Sequence, residues 1–219
     1  MSAQTQASVQ APAPAPAAGP ARPLRLAVIL GSVRDGRFGP VVAEWFAGRA
    51  REHGGLDVRL IDTAEHPLPV GFGPGAGEAD EPGGPGGATP RASVAAQLAQ
   101  AEAFVVVTPE YNHSIPASLK NLIDWHNVEW HAKPVGFVSY GGISGGLRAV
   151  EHLRHIFAEL HTVTIRDTVS FHMAWERFDR EGRPVDPKGP NDAATALLNQ
   201  LSWWAHALRE ARADRPYGA

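Results

Sequence analysis

The sequence contains no cysteine. Disulfides, thiolate zinc sites, iron–sulfur clusters and cysteine nucleophiles are thereby excluded, and a cytoplasmic protein is the default expectation. An excess of charge is also missing: 20 Lys and Arg against 23 Asp and Glu leave a formal net charge of −3. That balance gives no electrostatic reason to expect a nucleic acid or an anionic membrane as partner. No apolar run approaches the roughly 18 residues that a bilayer-spanning helix needs. At the N-terminus no basic segment precedes a hydrophobic block, and alanines alternate with prolines, so a signal peptide is not expected.

What the chain has in surplus is backbone punctuation. Glycine (23) and proline (19) make up about a fifth of the 219 residues, well above the roughly 12% of average proteins. The surplus is concentrated. Residues 1–23 hold five prolines among eight alanines, and residues 66–90 hold eight glycines and six prolines. The first stretch is too poor in large apolar groups to offset its ordering entropy and reads as a disordered tail. The second is too long for a routine connection and reads as a loop insertion, either a mobile lid or a solvated excursion. The remainder, 24–65 and 91–215, is one domain.

Within that domain short apolar runs alternate with stretches of helical period. The runs are Leu24–Leu30, Leu56–Ile61, Ala103–Thr108, Pro134–Ser139 and Val163–Val169. Helical periodicity follows each of them, the last with Leu197, Leu201, Trp204 and Leu208 on one face. Continuous apolar strands such as Phe104-Val105-Val106-Val107 belong in a parallel sheet covered on both sides. The prediction is an α/β three-layer sandwich of five strands and five helices. Gly39-Pro40, Ser114 with Pro116, and Asn191-Asp192 are the expected helix starts, and Gly54-Gly55 an expected stop.

Ligands in such a sheet sit at the carboxyl ends of the strands, near the point where strand order reverses. The loop after the first strand, Gly31 to Gly39, offers glycines, Ser32, Arg34 and Arg37 at a helix N-terminus, a combination suited to phosphate. It is neither a Walker A loop, since Arg37-Phe38 stands where Lys-Ser/Thr would, nor Gly-x-Gly-x-x-Gly. A single phosphomonoester is the better match. The loop after the third strand, Thr108 to Pro116, is stiffened by proline at both ends and can present amides and Asn112 to a flat polar heterocycle. The loop after the fourth, Ser139 to Gly146, has paired glycines that permit close backbone approach.

That fourth loop also contains Gly142-x-Ser144-x-Gly146, the pattern of a serine-hydrolase nucleophile elbow, with Asp167 and His172 or His206 following in hydrolase order. Five strands are few for that fold. His152 and His155, one helical turn apart beside Glu151 and Arg154, read as a polar helix face, so no metal site is expected.

Taken together, the three loops resemble the NAD(P)H-dependent FMN reductases, a flavodoxin-like family that includes quinone, azo-dye and chromate reductases. The likeness rests on Gly31-Ser32-x-Arg34, on Pro109-Glu110-Tyr111-Asn112 running into Leu119-Lys120-Asn121-x-x-Asp124-Trp125, and on the glycine-rich fourth loop. It covers about residues 24–210. The resemblance implies strand order 2-1-3-4-5 and bound FMN. It implies Ser32, Arg34, Arg37, Phe38 and Gly39 around the phosphate, with Pro109, Glu110, Tyr111 and Asn112 lining the isoalloxazine. Ser139, Tyr140, Gly141 and Gly142 then lie on another side of the ring. Many relatives carry serine and asparagine around positions 37–39, so Arg37-Phe38-Gly39 is a departure.

The family further implies NADPH or NADH as hydride donor and a small electron-poor acceptor such as a quinone, flavin, azo compound or oxidised metal ion. It also implies a homodimer or homotetramer, to whose boundary Phe171–Trp175 is a candidate contributor. The hydride chemistry belongs to FMN, and no catalytic side chain is expected. The rival expectations are a flavodoxin-like electron carrier without NAD(P)H activity, and a hydrolase using Ser144.

Overall fold

The computed structural model describes residues 22–71 and 89–218. The expected tail over 1–23 and the expected insertion over 66–90 therefore lie for the most part outside the described residues. The elements alternate strictly: β1 (Leu24–Leu30), α1 (Gly39–His53), β2 (Leu56–Asp62), α2 (Pro90–Gln100), β3 (Ala103–Pro109), α3 (Ala117–Asp124), β4 (Pro134–Tyr140), α4 (Leu147–Glu159), β5 (Val163–Phe171) and α5 (Lys188–Asp214). All pairings are parallel, in the order β2-β1-β3-β4-β5.

Strand alternation sorts the side chains into two cores. From β1, Leu24, Leu26, Val28 and Leu30 meet Val42 and Phe46 of α1 and Leu197 and Leu201 of α5. Ala27 and Ile29 point the other way, into a cluster with Leu98 of α2, Leu119 of α3 and Leu153 and Phe157 of α4. The three expected layers follow: α1 and α5, the sheet, then α2, α3 and α4. Strand β3, next to β1 in the interior of the sheet, is buried at all seven positions. At about 1.5–3 kcal/mol for each large apolar side chain removed from water, this double-sided burial is the main driving force for the sandwich.

The helix starts agree in part with expectation. Pro40 occupies the first turn of α1, and Gly54 and Gly55 end it at positive φ. Helix α5 begins at Lys188, three residues before Asn191. Asn191 does not cap it, because its side-chain oxygen accepts instead from Trp45 Nε1 at 3.4 Å. Ser114 does not cap α3 either: its hydroxyl pairs with His152 Nδ1 at 2.9 Å.

At the amino end of the sheet, Lys133 closes the C-terminus of α2 by donating to Leu98 O at 2.9 Å and Ala99 O at 3.2 Å. Burial, with Arg212 nearby, pushes its amine down to about 8 from an ordinary 10.5. A lysine lowered on folding binds its proton more weakly in the native state, so its contribution to stability rises with pH between about 8 and 10.5. Wild type is expected to gain on the order of 1–3 kcal/mol over Lys133→Met between the two ends of that window. Urea unfolding at both pH values tests this, and a pH-independent difference between the two proteins would refute it.

Candidate functional site

In this strand order the chain leaves β1 toward β2 on one side and returns to β3 on the other. The loops after β1 and β3 therefore diverge, and a crevice opens between them at the carboxyl edge. The strands run slightly further than the apolar runs suggested, so Pro109, Tyr140 and Phe171 are their last residues. Loops 1, 3 and 4 (after β1, β3 and β4) are brought together here, as expected.

Loop 1 is held from three directions. Ser118 Oγ of α3 donates to Gly31 O at 2.9 Å, and the Ser32 and Tyr111 hydroxyls share a hydrogen bond of 2.7 Å. Arg34 lies over the Tyr111 ring, 3.5 Å from its centroid, a cation–π contact that leaves the exposed guanidinium at the rim. The third tie comes from Arg37, which donates to Ser32 O and to both carboxylate oxygens of Asp62 at 2.6 Å. Burial alone would raise the Asp62 carboxyl. The Arg37 guanidinium and the Ala64 amide hold it below the usual range.

The residues expected around a phosphate thus divide. Arg34 is exposed at the rim, Ser32 is buried with its hydroxyl on Tyr111 and Gly39 is at the first position of α1, whereas Arg37 is engaged by Asp62. Phe38 packs in an aromatic cluster with Tyr140 and Phe178, at centroid separations of 6.3 and 5.6 Å. Asp62 carries no motif of its own. Its only sequence signal is a carboxylate at the end of a strand within reach of an unusual arginine.

Loop 3 is a tight turn. Tyr111 and Ser114 exchange both backbone hydrogen bonds, at 2.9 and 3.0 Å, and the two residues between them have positive φ: Asn112 at 49° and His113 at 73°. Positive φ at both central positions is the requirement of a type I′ turn, which asparagine tolerates and histidine resists. Replacing His113 by glycine is expected to stabilise the protein by about 0.5–1 kcal/mol. An unchanged or lower melting temperature would show that the side chain contributes more than its backbone conformation costs.

Glu110, the residue before the turn, is half-buried, with its side chain only 5% exposed and directed at the start of α4. It accepts from Ser144 Oγ at 2.8 Å and from Arg148 N at 3.2 Å, and forms an ion pair with the Arg148 side chain. Burial opposes ionisation, yet Arg148 and Ser144 keep the carboxyl below its ordinary range. Its charge is therefore compensated at the edge of the crevice. The motif downstream is structural in these contacts: Asn121 donates to Leu68 O and Pro69 O, and Trp125 Nε1 to Pro69 O at 2.7 Å. These bonds fasten the segment after β2 to α3.

Loop 4 is folded on itself. Ser139 Oγ and Ser170 Oγ both donate to Gly145 O at 2.8 Å, and Met173 N and Ala174 N donate to the carbonyls of Gly142 and Gly141. The hydrolase arrangement is not assembled. Ser144 is bonded to Glu110, His172 Nδ1 to Ile143 O, Asp167 pairs with Arg166 and His206 with Arg209. Of the expected boundary segment, Phe171 and Ala174 are core residues, while Trp175 is exposed and lies against Gly142. Among the described residues no group of three or more His, Asp or Glu is placed to hold a metal ion.

Two features fit an FMN phosphate at loop 1. The Tyr140 hydroxyl is buried beneath the N-terminus of α1 without a hydrogen-bond partner, and glycine at position 39 is what lets it approach so closely, since a Cβ there would collide with that hydroxyl at 2.7 Å and with Leu30 Cδ1 at 2.6 Å. Burial raises the Tyr140 phenol well above its ordinary range, with the adjacent Ser32 hydroxyl acting in the opposite direction.

Fold and site together define a doubly wound, flavodoxin-like α/β protein with its crevice at the β1/β3 switch point. Among solved structures, the flavoenzyme NAD(P)H:(acceptor) oxidoreductase FerB from Paracoccus denitrificans superposes with a TM-score of 0.62 at 21% identity, covering 85% of this chain and 98% of that one. The chain belongs to the NADPH-dependent FMN reductase family, whose model matches residues 24–176. It is 36% identical over 138 residues to an NAD(P)H-dependent FMN reductase of Schizosaccharomyces pombe, a stretch covering 60% of this chain and 64% of the relative. It is 33% identical over 178 residues to a probable NADPH:quinone oxidoreductase of Oryza sativa subsp. japonica, covering 77% and 86%. The chain thus spans slightly less than two thirds of the fission-yeast protein. No helix among the described residues is long and apolar enough to cross a membrane.

Proposed function

We propose that this chain is an FMN-dependent oxidoreductase that takes a hydride from NADPH or NADH and passes two electrons to a small electron-poor acceptor: a quinone, a flavin, an azo compound or an oxidised metal ion. The observation that carries the reading is the convergence of the family's three loops on one crevice, with an anion seat at the start of α1. FMN, when bound, supplies the hydride chemistry. The chain's residues bind and orient. The N-terminus of α1, Ser32 and Arg34 take the phosphate, with Arg37 and Asp62 fixing the loop from behind. Pro109, Glu110, Tyr111 and Asn112 bound the ring on one side. Gly141 and Gly142, whose carbonyls accept from the amides of Ala174 and Met173, bring backbone against it on the other, with Ser139 bracing Gly145 behind them. Because Arg148 neutralises Glu110, that carboxylate does not oppose the negative charge that a reduced ring would carry.

The protein acts in the cytoplasm as a homodimer or homotetramer, with Trp175, exposed beside loop 4, at the subunit boundary. The purified protein should bind FMN and turn yellow, bleach on anaerobic addition of NADPH or NADH, and recover its colour with a quinone. Failure to bind FMN would sink the proposal. Flavin binding without bleaching by either nucleotide, and with a stable one-electron state on chemical reduction, would instead identify an electron carrier.

A further inference from the structure

Tyr140 closes β4, and its ring lies in the core shared with α1. Only 5% of the residue is exposed, and its hydroxyl meets no hydrogen-bond partner. The oxygen is aimed at the first turn of the 15-residue helix α1: a Cβ on Gly39 would stand 2.7 Å from it, 2.6 Å from Leu30 Cδ1 and 3.5 Å from Ser32 Cβ. Phenylalanine would fill the same space without a stranded hydroxyl, whose burial without a partner is unfavourable. A polar group held at that cost at the positive end of a helix is explained by an anion that it serves.

We infer that Tyr140 is a positioning residue for the phosphate of FMN, acting through Ser32, and that it distinguishes FMN from riboflavin. The inference rests on the FMN reading above. Ser32 has one proton and two lone pairs to place. In this structure its hydroxyl is shared with Tyr111 at 2.7 Å. When Ser32 turns its proton to a phosphate oxygen, its own oxygen becomes an acceptor, and the Tyr140 hydroxyl beneath it is a donor with nowhere else to go. The two hydroxyls then form a chain, Tyr140 to Ser32 to phosphate, in which each bond strengthens the next. Gly39 is part of the device, because any side chain at that position would occupy the place of the hydroxyl.

The test compares Tyr140→Phe with wild type in titrations with FMN and with riboflavin, read by quenching of flavin fluorescence. FMN affinity is expected to fall about tenfold, the loss of the hydrogen bond by which Tyr140 supports the Ser32 bond to the phosphate. Riboflavin affinity should stay unchanged, and the melting temperature of the flavin-free protein should not fall. Introducing Ser32→Ala first should abolish the effect, so that Ser32→Ala and the double variant show the same FMN-to-riboflavin ratio. Equal weakening of both flavins, unchanged FMN binding, or a lower melting temperature would overturn the inference and reduce Tyr140 to packing. A wild-type protein that binds neither flavin would overturn the FMN reading itself, and this inference with it.

Discussion

Asp62→Ala is expected to lose about 3–5 kcal/mol of stability, because it strands the Arg37 guanidinium in a site where both partners are largely shielded from water. Burying a charge is tolerable only while its partner remains. The pair is bidentate, at 2.6 Å on both arms, and Arg37 also holds Ser32 O, so the same substitution unfastens loop 1. FMN binding should weaken by roughly tenfold or more as the loop regains conformational freedom that must be lost again on binding. Urea unfolding and flavin titration measure the two effects. Removing both charges, as Arg37→Leu with Asp62→Leu, should restore most of the stability while leaving FMN affinity impaired. The single variant proving as stable as the double one would mean that Arg37 finds water when Asp62 is absent.

The acid limb of stability follows from the same contacts. Asp62 and Glu110 both ionise below their ordinary range in the folded protein. A carboxyl depressed on folding contributes stability at pH values above its unfolded pKa and loses it as pH falls through the folded one. Wild type should therefore weaken steeply below about pH 4, and Asp62→Ala less steeply, having already lost one of the contributing carboxyls.

The reach of the sequence differed between fold and site for a physical reason. Strands buried on both faces advertise themselves as uninterrupted apolar runs, so Phe104–Val107 was legible as an interior strand and the sandwich with it. The three site loops were legible because glycine and proline restrict the backbone locally. What a polar side chain does inside such a loop depends on a partner brought from elsewhere in the chain. Arg37 reads in the sequence as a phosphate ligand, and in the fold Asp62, 25 residues on, engages its guanidinium. Glu110 looked like a ring neighbour, and the first turn of α4 takes up its carboxylate. Asn191 read as a cap for the same reason of locality, since Trp45 lies 146 residues away in sequence.

Gly146→Ala is expected to cost about 3–5 kcal/mol, most of it in the backbone. Gly146 caps α4 at φ 83° and ψ 11°, a left-handed conformation that costs an L residue roughly 1–2 kcal/mol. A Cβ there would stand 2.7 Å from Ser139 Cβ, 3.0 Å from Tyr140 N and 3.1 Å from Tyr140 O. Two of those neighbours are strand backbone, so no change of rotamer relieves the overlap, and either β4 or the start of α4 must move. Moving α4 takes Arg148 N and its side chain away from Glu110 and leaves a buried carboxylate under-compensated beside the crevice. Thermal melting should thus fall together with FMN affinity. Gly142→Ala provides the contrast, since its Cβ would meet only Trp175, at an ordinary 3.6 Å, and its φ is not positive. Its stability should change by less than about 0.5 kcal/mol, the range of a substitution that creates neither strain nor a cavity. If both variants melt alike, the backbone of loop 4 is free to rearrange, and the rigid cradle attributed to it does not exist.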